Sequence, residues 1–391
     1  MKILLLSIYD YPHVGGLSTH ITTLKSGLES RGHEISVLSF SDVPKWKRDL
    51  IARGPSLVMN KLKLGAGYVW TLKRRADFMK DLLADPKYKD IDLVNAQDVM
   101  SAKAATEAGF PVVTTIHGYM TYEGISKGSV AEGSQYANEI KQFEHNGYKM
   151  SREVITVDTR IKEYIQKEAG VTGHMIKNFI DVEDFKPETE RRAEFRKQFN
   201  LSMDDKIFFI PRRLTKKNGV IYPILSFPPV VERFPEARLV FAGTGEMMED
   251  MKKKARELGV ADRVTMLGAV DHKDMIRYYA LSDIVLVPSI YSAGVEEATS
   301  ISALEAMGSG VPLIACAVGG LKEIVDHSKD GLLVEEQNVE ELSDAMIQLL
   351  ENPAEGAQLA KAGRTKIIEE YSHFAAAEKY EKIYMKALAK E

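Results

Sequence analysis

Apolar residues along this chain fall into two alternating textures. Short runs rich in Val, Ile, Leu and Phe give way to longer stretches in which apolar positions recur every three or four residues. The runs read as strands buried on both faces and the stretches as amphipathic helices. Their alternation is the pattern of parallel sheets covered by helices on each side. In the first half the predicted strands are KILLLSI, EISVLSF, LVNA, VVTTIH and EVITVD. In the second half they are KIFFIP, ARLVFAG, RVTMLG, IVLVPS, PLIACA and GLLVE. Each set can close its own doubly wound sheet, so the pattern predicts an α/β protein of two domains. The segment NFIDVEDFKPETERRAEFRKQFN reads as a polar linker running into a helix, with the boundary between Asp181 and Glu190. This divides the chain into 1–185, 186–370 and a C-terminal helix over 371–391.

The length supports this division, since 391 residues exceed one ordinary core and suit two domains. A net charge of −4 and a pI near 6.2 argue against a general nucleic-acid binder, which needs a strong positive field. The single cysteine, Cys316, has no internal partner and sits in the apolar setting PLIACAV, which reads as a buried small hydrophobe in a reducing cytoplasm. The N-terminal MKILLLSIYDYP lacks a small-residue cleavage site and reads as the first strand. No run approaches the ~20 apolar residues that span a bilayer, so any membrane attachment is expected to be peripheral. One segment, Pro44 to Arg75, carries nine Lys and Arg against Asp49 alone, with Trp46 and Trp70 interleaved. It suggests a surface for anionic lipid or an anionic acceptor, the alternative being a solvated helix face.

Candidate chemistry gathers where strands end. Gly15 and Gly16 follow the first strand and precede a helix, the place where open α/β sheets bind ligands. His117 and Gly118 close the fourth strand on the same rim. In the second half, FFIPRRLTKKNG places Arg212, Arg213, Lys216 and Lys217 after a strand, with donors suited to a pyrophosphate. Gly243-Thr244-Gly245 follows the next strand, with Glu246 opening a helix, and Met248 stands where a dinucleotide fingerprint has its third glycine. Gly268, Ala269 and Val270 expose backbone at a further strand end. In GVEEATSISALEAMGSGVP, Ala298 to Ser302 read as the start of a helix with free N–H groups. Glu297 and Glu305 stand eight positions apart, about 12 Å if both were helical, so one helix face does not bring both to a single metal ion.

Taken in order, these motifs resemble the retaining glycosyltransferases of family 4, with the GT-B fold of two facing Rossmann-like domains. The resemblance covers nearly the whole chain and rests chiefly on EATSISALE, an E-x7-E pattern, with AMGSGVPLIACAVGG after it and RRLTKKNG before it. It implies a C-terminal helix crossing back to the first domain and a first domain that binds the acceptor. Glu305 would clamp the ribose of a nucleotide and Glu297 the hydroxyls of the donor sugar. The amides of Thr299, Ser300 and Ile301 would hold the diphosphate, neutralised by Arg213 and by Lys217 or Lys216. Gly243, Ala269 and Val270 would line the donor site, and Gly15, Gly16 and His117 would complete it from the other domain. The expected reaction moves a hexose from a nucleotide diphosphate sugar, UDP first and GDP second, to a hydroxyl acceptor, lipid-linked or small. It retains anomeric configuration by front-face displacement and needs no metal and no cofactor. Three departures stand out: Asn218 occupies the usual lysine position, ATSI replaces a glycine-rich run after Glu297, and Asn95 to Asp98 replace a histidine-bearing motif. A silent nucleotide-sugar sensor and a dehydrogenase are the competing readings, the latter weakened by the missing third glycine.

Overall fold

The computed structural model describes residues 1–13, 15–292 and 299–390. They form two compact units, Met1–Asn178 with His373–Glu391, and Phe179–Ser372. In the first unit, β1 (Lys2–Ser7), β2 (Glu34–Ser39), β3 (Leu93–Ala96), β4 (Val112–Ile116), β5 (Glu153–Thr156) and β6 (His174–Met175) pair in the order β2-β1-β3-β4-β5-β6. In the second, β7 (Lys206–Ile210), β8 (Ala237–Phe241), β9 (Val264–Met266), β10 (Ile284–Val287), β11 (Leu313–Cys316) and β12 (Leu332–Val334) pair in the order β12-β11-β10-β7-β8-β9. Every pairing is parallel. The central strands are buried throughout, which is why they appear in the sequence as unbroken apolar runs. The eleven predicted strands are present, and β6, an edge strand of two residues, is too short to leave a periodic signature.

The units divide seven residues earlier than the polar composition of the linker suggests, at Asn178 and Phe179. Ile180, Val182 and Phe185 alternate with acidic residues and sink into the core of the second unit. Arg364 holds their backbone in place by donating to the carbonyls of Val182 and Phe185 at 2.9 and 2.7 Å. The charged side chains that made this stretch look like a linker are its solvent side.

The last helix, His373–Leu388, packs in the first unit against the helix Gly16–Ser30. Gly27 allows that approach, because a Cβ there would stand 2.4 Å from the His373 carbonyl oxygen. Glu381 adds a polar tie, accepting from Arg31 Nε and His33 Nε2, both at 2.9 Å. Among the described residues no helix is long and apolar enough to cross a membrane.

Arg196 organises the amino-terminal edge of the second sheet. Its side chain is 1% exposed, and it donates to the carbonyls of Leu281, Ser202, Met203 and Asp205 and to the Asp283 carboxylate. Removing the guanidinium takes the donor from four carbonyls at once, those of Leu281 and Asp205 in fully buried bonds. Arg196→Met is therefore expected to destabilise the second unit by about 3 kcal/mol or more, read as a lower denaturation midpoint in urea. A midpoint unchanged from wild type would contradict this role.

Candidate functional site

In the second unit the strand order reverses between β7 and β10, so the turns leaving those strands diverge and leave a crevice at their carboxyl ends. The turn after β7 carries the basic residues. Arg213, Lys216 and Lys217 are exposed on it, whereas Arg212 points inward and donates to Ser300 Oγ at 3.0 Å, Ser289 Oγ at 2.8 Å and Asn218 Oδ1 at 3.0 Å. One guanidinium thus ties together the turn after β7, the segment after β10 and the start of the helix Ile301–Gly308. Asn218, in the position where the family pattern has lysine, is 4% exposed and donates to the Arg213 carbonyl at 2.7 Å. It shapes the turn from inside, and the positive charge sits on its outer residues.

The glycines of this rim are dictated by crowding. Gly219 has φ +63, and a Cβ there would lie 1.8 Å from the Pro288 carbonyl oxygen. Cβ atoms at Gly243 and Gly245 would each lie 2.2 Å from carbonyl oxygens, those of Arg212 and Leu214. Gly243 also donates to the Gly268 carbonyl at 2.8 Å, joining the turns after β8 and β9. Ala269 is exposed at this rim and Val270 half-buried. The helix expected from Glu246 begins at Met248, since residues 243–247 are bonded into the turn after β7 through Leu214.

The helix expected over Ala298 to Ser302 starts later, with Ser300 as its N-cap and Ile301 as its first residue. Ser300 is 1% exposed and its hydroxyl accepts from Arg212, so it braces the helix start from beneath. Ser302 Oγ pins the same turn to the Pro211 carbonyl at 2.8 Å. Thr299 precedes the cap, and Glu297, with Glu296 and Ala298, lies outside the described residues. One turn into the helix, Glu305 is 3% exposed and already doubly engaged: His272 Nε2 stands 2.7 Å from Oε1, and the Tyr279 hydroxyl donates to Oε2 at 2.7 Å. The bond to Glu305 raises the His272 pKa against the opposing effect of burial. Burial, reinforced by Glu305, pushes the Tyr279 phenol well above its ordinary range. The sequence reading missed both partners. Their signal is a spacing of seven on one helix, His272–Leu281, which puts them on one face.

The first unit has its own reversal, between β1 and β3, with a cavity of about 510 Å³ at the carboxyl ends of β1, β3 and β4. Gly15 and Gly16 line it; Gly15, at φ +152, is the N-cap of the helix Gly16–Ser30, and a Cβ at either glycine would meet nothing. His117 lines it too, with Nε2 2.9 Å from Gln97 Oε1. Because the partner is an amide oxygen, the proton belongs on Nε2 and Nδ1 is the basic nitrogen. Gln97 donates in turn to Asn95 at 2.6 Å, and Asn95 donates to Thr115 Oγ1 at 3.1 Å. The Tyr380 hydroxyl stands 3.4 Å from Thr115 Oγ1 and 3.3 Å from His20 Nε2, and the His20 and His117 rings meet edge to face at 4.5 Å. Burial lowers the His117 pKa to about 4 and, with the His117 neighbour, takes that of His20 well below the ordinary value. Both imidazoles are therefore neutral at pH 7. The stretch Asn95 to Asp98 thus supplies amides that orient His117, while the buried Asp98 accepts from the Ile8 amide at 3.0 Å and caps the next helix through Ser101. His20, Gln97 and Tyr380 were not foreseen, because the network joins residues as far apart as 360 positions.

Two family models match the chain: "Glycosyltransferase Family 4" over residues 14–184 and "Glycosyl transferases group 1" over residues 191–366. An uncharacterized glycosyltransferase of Methanocaldococcus jannaschii is 28% identical over 387 residues, 95% of each chain. A GDP-mannose-dependent alpha-(1-6)-phosphatidylinositol monomannoside mannosyltransferase of Mycobacterium tuberculosis is 34% identical over 187 residues, 47% of this chain and 48% of the relative. Among solved structures, sucrose-phosphate synthase from Thermosynechococcus elongatus superposes with a TM-score of 0.72 at 20% identity, covering the whole of both chains. With two switch-point sheets built as described and family models matching nearly end to end, the chain belongs to the family 4, group 1 glycosyltransferases and has the GT-B fold.

Proposed function

We propose that this glycosyltransferase moves a hexose-type sugar from a uridine or guanosine diphosphate sugar to a hydroxyl acceptor, with retention and without a divalent metal. The observation that carries the reading is the rim of the second unit. Arg213, Lys216 and Lys217 stand exposed on a turn that Arg212 ties to the start of the helix Ile301–Gly308. A leaving diphosphate needs fixed positive charge, and the side chains and the helix start supply it in a preorganised form.

In this reading the ribose hydroxyls donate to the Glu305 carboxylate, whose direction His272 and Tyr279 already fix. The role of Glu297 at the donor sugar rests on the E-x7-E spacing alone. The acceptor enters the cavity of the first unit, where the basic Nδ1 of neutral His117 accepts a hydrogen bond from an acceptor hydroxyl other than the attacking one. The bond from the anomeric carbon to the diphosphate oxygen breaks, and the acceptor oxygen bonds to that carbon on the same face. The acceptor proton passes to the leaving diphosphate, so no enzyme nucleophile takes part. Resemblance to a phosphatidylinositol-mannoside mannosyltransferase supports a lipid-linked acceptor over a free sugar.

Incubation with a panel of UDP- and GDP-sugars should release nucleoside diphosphate slowly from one donor, and EDTA should leave the rate unchanged. Loss of activity in EDTA with recovery on adding Mn²⁺ or Mg²⁺ would overturn the metal-free scheme. Tight binding with no release from any donor would favour a sensor. Glu305→Ala should raise the donor KM about tenfold with a smaller effect on kcat. His272→Gln should do the same more weakly. The His272 contribution to stability, about 1 kcal/mol given its partial exposure, is fully present below the ordinary pKa of 6.5 and is lost as pH rises through the raised value. The stability difference between wild type and His272→Gln must therefore shrink on going to alkaline pH, and a difference that grows would refute the pairing. His117→Ala should lower kcat/KM by roughly 10²-fold. Because His117 stays neutral down to about pH 4, its protonation should put no acid limb near 6.5 in the wild-type profile. An acid limb at 6.5 that vanishes in His117→Ala would contradict that assignment.

A further inference from the structure

The basic segment of the first unit divides into two parts once its partners are known. Arg48 and Arg53 pair with Asp10, Arg53 also with Asp49, Lys73 with Glu139 and Arg74 with Asp77. Arg75 turns inward, donating to the Ile8 carbonyl at 3.2 Å and lying 4.3 Å from the Phe40 ring. These cations serve the fold. The remaining four, Lys45, Lys47, Lys61 and Lys63, form no ion pair among the described residues, and the one acid of the stretch, Asp49, is spent on Arg53.

The apolar residues of the same stretch show the opposite of burial. Trp46 is 59% exposed, Leu57 68%, Val58 61% and Leu62 83%, with Leu50 and Leu64 also exposed. Six of the fourteen large hydrophobic side chains exposed among the described residues thus fall within 46–64. Helix Gly54–Leu62 buries none of its residues, so packing does not explain its apolar character. It is nevertheless held firmly from behind. Asn60 Oδ1 accepts from the Gly67 amide at 2.9 Å, and Gly67 lies so close to the Ser56 carbonyl that a Cβ would stand 2.0 Å from its oxygen. Trp70 Nε1 donates to the Ile51 carbonyl at 3.0 Å, anchoring the preceding turn.

We propose that Lys45 to Leu64 is a membrane-docking surface that inserts Trp46, Leu50, Leu57, Val58, Leu62 and Leu64 into the interface of an anionic bilayer. The four lysines that form no ion pair, of which Lys63 donates to Gln135 Oε1 at 3.3 Å, select its headgroups. An apolar patch set among uncompensated lysines, with tryptophan at one end, matches the layered chemistry of such an interface, where acyl chains underlie anionic groups. A neutral protein partner would use the apolar residues and leave the lysines unmatched. This surface stands on its own observations and does not depend on the donor reading.

The test is sedimentation of the full chain with vesicles of phosphatidylcholine alone and of phosphatidylcholine mixed with phosphatidylglycerol. Binding is expected only to the anionic vesicles, weakening as salt is raised, with a blue shift of tryptophan emission that is absent from Trp46→Phe. Leu57→Glu with Leu62→Glu should reduce binding at least tenfold, and Lys45→Glu with Lys61→Glu about 20-fold or more. Both double variants should keep wild-type melting, because every altered side chain is exposed. Equal binding to neutral and anionic vesicles, no binding to either, or undiminished binding of Leu57→Glu/Leu62→Glu would overturn the proposal. So would a concentration-dependent dimer that this variant abolishes while vesicle binding stays absent, which would make the patch a contact between copies of the chain.

Discussion

Arg212 donates to side chains on three separate pieces of chain, Ser289 after β10, Ser300 at a helix cap and Asn218 in the basic turn, and the rest of the second unit's rim is arranged around that fan of bonds. A planar guanidinium can hold three partners at fixed angles, which an ammonium cannot. The cost of drawing the turns together is steric: backbone carbonyls crowd the positions of Gly219, Gly243 and Gly245 to within about 2 Å of any Cβ. The glycines are thus consequences of the brace, and the exposed cations Arg213, Lys216 and Lys217 are displayed on what it holds still.

The first unit reaches preorganisation by another route. Its cavity is bordered by a histidine held neutral by burial and oriented by an amide chain from Gln97 through Asn95 to Thr115 and Tyr380. Tyr380 sits on the last helix, so the C-terminal segment takes part in positioning a residue that lines this cavity. A neutral imidazole accepts a hydrogen bond without adding charge.

The sheets were legible in the sequence because parallel strands buried on both faces leave unbroken apolar runs, and the rims were legible because such sheets bind ligands where the runs end. What stayed hidden was decided by partners distant in sequence. Lys73 looked like an unpaired charge until Glu139 came to face it, and Arg75 looked like a surface charge until it turned to Ile8. Glu305 was found by its spacing from Glu297, yet His272 and Tyr279, which fix its orientation, lie on another helix. Ile180, Val182 and Phe185 were masked by the acids between them. Asn218 read as a departure from a motif, and only its two bonds reveal a brace inside the turn.

Backbone hydrogen exchange, with and without the nucleoside diphosphate of the preferred donor, reads out whether the rim braced by Arg212 holds the donor. Slowed exchange is expected in residues 212–219, 243–247, 268–272 and 299–308 of the second unit, with the cavity of the first unit unchanged until an acceptor is added. Protection confined to residues 9–16 and 97–123, with the second unit's rim unaffected, would contradict it.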